Sequence, residues 1–69
     1  MDKTELERVQ RYLRTLFGNP QIKIVAFPRS KDSAEVYLGE ESIGVLSKDE
    51  EDGELSYNFN MAILDIDLE

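Results

Sequence analysis

Cysteine and histidine are both absent from this 69-residue chain. Without cysteine there is no disulfide, no thiol nucleophile and no thiolate ligand for a metal. Without histidine the commonest general base and the commonest metal-binding side chain are missing together. Ser30, Ser33, Ser42, Ser47 and Ser56 therefore have no imidazole to activate them. Lys31 and Lys48 stand in polar, turn-like contexts, which offer no desolvated setting for an ammonium to act as a base. Glycine is sparse and scattered, at 18, 39, 44 and 53, so no clustered loop cradles a phosphate. No window approaches the eighteen apolar residues that a membrane span needs, and the opening "MDKTELERV" has no apolar signal core. These absences lead us to expect a cytoplasmic protein off the membrane, without cofactor or catalytic constellation.

What is present is charge, unevenly placed. Eight basic and fifteen acidic residues give a net charge of −7. Residues 1–31 hold seven basic and three acidic groups, a net +4; residues 32–69 hold one basic and twelve acidic, a net −11. The total disfavours nucleic acid. The asymmetry neutralises itself within one fold, or it steers a protein partner or aligns two copies of the chain. Arg8, Arg11 and Arg14 form a basic row on the N-terminal segment that suits such an acidic partner.

Thr4 and Glu7 have capping-box spacing, and Leu6, Val9, Leu13, Leu16 and Phe17 recur at helical period, with Tyr12 at the margin of the arc. Glu7 and Arg11 are a favourable i,i+4 pair. Gly18 and Asn19-Pro20 stop the helix. The spacing predicts a helix over about 5–17. Strands follow at about 21–27, 34–38, 42–47 and 54–61, the last with the clearest alternation, Leu55, Tyr57, Phe59 and Met61 against Ser56, Asn58 and Asn60. Short links favour antiparallel neighbours. The expected fold is α+β, a single domain over 1–69: one N-terminal helix on a four-stranded antiparallel meander, with a short tail that breaks from the strand near 62–64.

In that arrangement the helix covers Ile22, Ile24, Val36, Leu38, Ile43, Val45, Tyr57 and Phe59. Val25, Phe27, Tyr37 and Leu46 then gather on the far face, more apolar than a purely solvated face should be. That patch is the expected surface for self-association or for a protein partner. Gly44 lies mid-strand, where it marks a bulge, a close backbone approach or a seat for an aromatic ring such as Tyr37 or Tyr57. A second reading is a small regulator that binds a divalent metal or a charged ligand through the run "SKDEEDGELSYNF", where five carboxylates crowd residues 49–54, and through the C-terminal carboxylates. Asp49, Glu51 and Asp52 are its candidates for a divalent metal, since calcium and magnesium take clustered oxygens. Asp65, Asp67 and Glu69 join them only if the tail folds back. The spacing does not match a calcium loop, and the plainer reading is a wet hairpin tip.

The segments "YLRTLFGNP", "IKIVAFPRSKDSAEVYLGEE", "IGVLSKDEEDGELSYNF" and "MAILDIDL" together resemble a small uncharacterised family of alphaproteobacterial proteins, domain of unknown function 3126. The likeness spans nearly the whole chain. Gly44-Val45-Leu46, Asp52-Gly53 and the block from Met61 to Leu68 carry it most specifically. It implies a short, stand-alone bacterial protein and brings no activity and no catalytic residue. Ser42 departs from it, standing where a larger apolar side chain is expected.

Overall fold

The computed structural model describes residues 1–68, the side chain of Asp52 excepted. Helix α1 spans Lys3–Phe17, and strands β1 Ile22–Ala26, β2 Ser33–Leu38, β3 Glu41–Asp49 and β4 Ser56–Asn60 follow. The sheet order is β1-β2-β3-β4, with every neighbour antiparallel. The α+β helix-on-meander expected from the sequence is the fold.

The helix starts earlier than Thr4 suggests. Asp2 is the cap: its Oδ1 accepts from the Glu5 amide at 2.8 Å, and the Asp2 amide donates to Glu5 Oε1 at 3.4 Å. Asp2 and Glu5 have the same spacing as Thr4 and Glu7, and an aspartate caps as well as a threonine. The earlier start adds helical hydrogen bonds and leaves Thr4 inside the first turn. At the other end Gly18 takes φ +62°, and the amides of Gly18 and Asn19 satisfy the carbonyls of Thr15 and Arg14.

The core is Leu13, Ile22, Ile24, Ala34, Val36 and Leu46, with Met1, Leu6, Val9, Leu38, Ile43, Tyr57 and Phe59 packed against it. Helix α1 does not straddle the sheet. Its backbone approaches only β1, and two side chains fasten it there. The Ile24 amide donates to Gln10 Oε1 at 2.9 Å, and Arg14 Nε donates to the Ile22 carbonyl at 2.7 Å. Both backbone groups lie on the outer edge of β1. The helix thus covers an edge that would otherwise template another strand. Leu16 and Phe17, expected in the packed arc, stay exposed because the helix overhangs the sheet at that end.

The pairing of β2 with β3 shifts between Val36 and Tyr37. Val36 faces Gly44 but Tyr37 faces Ser42, which leaves Ile43 as an extra residue on β3. One extra residue reverses the facing of everything after it. Leu46 therefore turns into the core at 2 % exposure, and Val45 turns outward at 37 %. The expected order was the opposite: Val45 under the helix and Leu46 on the far face. Gly44 sits at this irregularity. A Cβ there would lie 2.5 Å from the Asn60 carbonyl oxygen and 2.5 Å from Phe59 Cε1. The bulge and the close backbone approach anticipated for this glycine are present, and the ring seated on it is that of Phe59 rather than Tyr37 or Tyr57.

Strand β3 also runs longer than expected, so Lys48 belongs to a strand rather than to the turn. A 3-10 turn at Glu51–Gly53 makes the hairpin tip. Strand β4 ends at Asn60, and the chain closes in a second 3-10 turn, Asp65–Leu68, after the break expected near 62–64. The molecule measures 42 × 23 × 23 Å with a radius of gyration of 12.7 Å. A compact chain of this length has a radius of about 11 Å, so this one is drawn out.

Candidate interaction groove

Placing α1 over β1 alone leaves the helix side of β4 uncovered. An open groove of about 500 Å³ runs between them. Its helix wall carries Arg8, Val9 and Tyr12; its sheet wall carries Leu55, Tyr57 and Phe59; Leu13 and Leu46 of the core form the floor. Tyr12 and Leu55 are each more than half exposed at its mouth. The clean alternation of residues 55–61 is what puts Tyr57 and Phe59 on this wall. Gly44 lets Phe59 lie close against β3.

One end of the groove is closed by a charged cluster. Glu5 Oε2 accepts from Tyr57 Oη at 2.6 Å and lies 2.7 Å from Lys48 Nζ, which also reaches Glu50 at 3.2 Å. Hydrogen bonds from Lys48 first and Tyr57 second hold the Glu5 carboxyl down at about 2, against the opposing effect of burial. The same contacts push the Lys48 ammonium up, chiefly through Glu5, and push the Tyr57 phenol up. The cluster joins α1, β3 and β4, and it fixes the width of the groove at that end. Its groups are fully partnered and locked in their ordinary charge states, so they are suited to structure rather than to proton transfer. The sequence hint was Glu5 itself, in capping position on the helix, together with the one basic residue of the acidic half.

The far face of the sheet is more polar than expected. Leu46 is absent from it, and Glu35 lies at its centre, accepting from Tyr37 Oη at 2.8 Å and from Ser42 Oγ at 2.5 Å. Those bonds, Ser42 first, lower the Glu35 carboxyl, and Glu35 in turn raises the Tyr37 phenol. They also give the Ser42 hydroxyl a partner on this face. Val25 is exposed there and Phe27 half-buried, with Val45 beside Glu35 in the pairing. The four-residue patch of Val25, Phe27, Tyr37 and Leu46 does not form.

The arginine row also divides. Arg14 is tied to β1, Arg8 lines the groove, and Arg11 is exposed. Among the described residues the ion pairs are those of Lys48, so the anticipated Glu7–Arg11 pair is not made. At the hairpin tip Asp49 is half-buried and its Oδ1 accepts from the Glu51 amide at 3.0 Å, a turn-forming bond. Asp52, the third metal candidate, has its side chain outside the described residues, as has Glu69. Among the described residues no three carboxylates stand close enough together to hold a metal ion. No helix there is long and apolar enough to cross a membrane.

These features define a small α+β domain, a helix fastened to one edge of a meander with an apolar groove beside it. The chain belongs to the family described as protein of unknown function (DUF3126), whose model matches residues 5–67. Neither the curated proteins nor the solved structures give a match.

Proposed function

We propose that this chain is a non-enzymatic interaction protein that works by seating a polypeptide in the groove between α1 and β4. One observation carries the reading: Tyr12 and Leu55 are exposed at the mouth of a cleft floored by the core itself. A 69-residue domain has little apolar surface to spare for its own stability, and leaving aromatic and aliphatic side chains open beside the core marks a contact surface. Tyrosine suits this use, with a large apolar body and a polar tip. The absence of histidine and cysteine from the chain, and the fully satisfied Glu5 cluster, support binding without chemistry.

A photo-crosslinking amino acid tests the reading in cells of the native host. Placed at Leu55, on the groove, it is expected to give discrete protein adducts; placed at Asn58, on the far face, it is expected to give none. Adducts of equal yield from both positions, or none from Leu55, would overturn it.

A further inference from the structure

The groove has a complement on the same chain. Ile63, Leu64, Ile66 and Leu68 are between 59 and 73 % exposed, so four aliphatic side chains follow β4 with nothing covering them. Their segment is acidic, through Asp65 and Asp67, and it is preorganised. The Leu64 amide donates to Asp67 Oδ2 at 3.3 Å, and the Asp67 amide donates to the Leu64 carbonyl at 2.8 Å. Two charged side chains line the groove, Glu5 and Arg8: Glu5 is paired with Lys48, and Arg8 carries no ion pair among the described residues, which leaves a positive charge to meet the acidic segment.

The path of the chain argues against a segment seated in its own groove. Asn60 pairs with Val45, midway along β3, while the Glu5 cluster lies toward the other end of β4, where Lys48 pairs with Tyr57. The segment leaves the sheet there, and the drawn-out shape of the molecule accords with its lying clear of the body. To enter its own groove it would have to reverse across Phe59.

We infer that two copies of this chain exchange their C-terminal segments, the aliphatic residues of each seated in the α1–β4 groove of the other. The inference rests on the groove reading above and names the partner as a second copy. A two-fold arrangement uses each contact twice, which doubles the apolar area covered by so short a segment. It brings Asp65 and Asp67 of one copy toward Arg8 of the other, and so gives the split between basic and acidic halves a use. Neither groove is complete without the other copy.

The test is a one-to-one mixture of isotope-labelled and unlabelled protein, read by filtered NMR alongside sedimentation. A species of twice the monomer mass is expected, with intermolecular contacts from the Ile66 and Leu68 methyls to the Tyr12 ring and the Leu55 methyls. The double substitution Ile66→Asp, Leu68→Asp is expected to abolish the dimer and leave the fold intact, since both side chains lie outside the core. Arg8→Glu is expected to weaken association about tenfold or more, the size of an interfacial charge-pair coupling, and Asp67→Arg in the same chain to restore part of it. A monomer at all concentrations would overturn the inference. So would a dimer without these contacts, or the same contacts found only within one chain. Leu55 adducts to a different protein, with no tail-mediated dimer, would sink the exchange and leave the groove reading standing. The lack of any Leu55 adduct, again with no dimer, would sink both.

Discussion

The Glu5 carboxylate lies 2.7 Å from the Lys48 ammonium while the same carboxyl group helps cap helix α1, so one side chain joins the first turn of the chain to its third strand. Tyr57 adds a bond from the fourth strand. Because the helix backbone approaches only β1, this cluster is what couples α1 to the distal half of the sheet.

That coupling has a pH signature. Glu5 has its carboxyl lowered from 4.5 to about 2 on folding. The stability it contributes is therefore present above pH 4.5 and lost as pH falls from there through about 2. Glu5→Gln is expected to remove most of that acid limb. At neutral pH it is expected to destabilise by about 2 kcal/mol, the range for a hydrogen bond to a charged group. Thermal unfolding between pH 2 and 7 checks both, at roughly 4–8 °C per kcal/mol for a domain of this size. An unchanged acid limb in Glu5→Gln would show that other carboxylates govern it.

Arg14 and Arg11 lie three positions apart on one helix and are expected to behave differently. Arg14 satisfies the Ile22 carbonyl on the edge of β1, and removing it leaves that acceptor without its partner. Arg14→Ala is expected to cost about 1–3 kcal/mol, whereas Arg11→Ala, at an exposed position, is expected to fall within about 0.5 kcal/mol of the parent. Urea unfolding of the two variants measures the contrast. Equal effects would mean that the edge bond is not a fastening.

Gly44→Ala tests the seat of Phe59. The added Cβ meets a ring carbon, which can move, and the Asn60 carbonyl, which cannot move without shifting β4. Overpacking of this kind costs about 1–3 kcal/mol. Hydrogen exchange is expected to quicken at 56–60 before it quickens in β1 and β2. Phe59→Leu added to Gly44→Ala is expected to recover only part of the loss, because the carbonyl contact remains.

The limits of the sequence reading follow from one feature. Elements whose signal is local were legible: the helical period from Leu6 to Leu13, the alternation from Leu55 to Phe59, and the stop at Gly18-Asn19-Pro20. The phase of β3 was not. "SIGVLS" alternates equally well with Ile43 and Val45 inward or with Gly44 and Leu46 inward. The choice is made by the bulge opposite Val36 and Tyr37, which depends on a neighbouring strand. The far-face patch was lost with that phase, since it depended on Leu46. The groove was equally hidden, because nothing in the helix says which strand it will cover. Its residues were visible all the same, Tyr12 at the margin of the arc and Leu55, Tyr57 and Phe59 in one row, but Tyr57 and Phe59 were expected beneath the helix rather than on a wall beside it.

The phase of β3 can be tested without a structure. With Leu46 buried at 2 % and Val45 exposed at 37 %, truncating the two neighbours should have unequal consequences. Leu46→Ala removes a core side chain from the floor of the groove and is expected to cost about 2–5 kcal/mol. Val45→Ala, on the outer face beside Glu35, is expected to cost less than about 1 kcal/mol, within the spread of strand propensity. Midpoints of urea unfolding decide between the two phases. The reverse order would put Val45 under the helix after all, move Leu46 to the far face, and remove the floor from the groove on which the binding proposal depends.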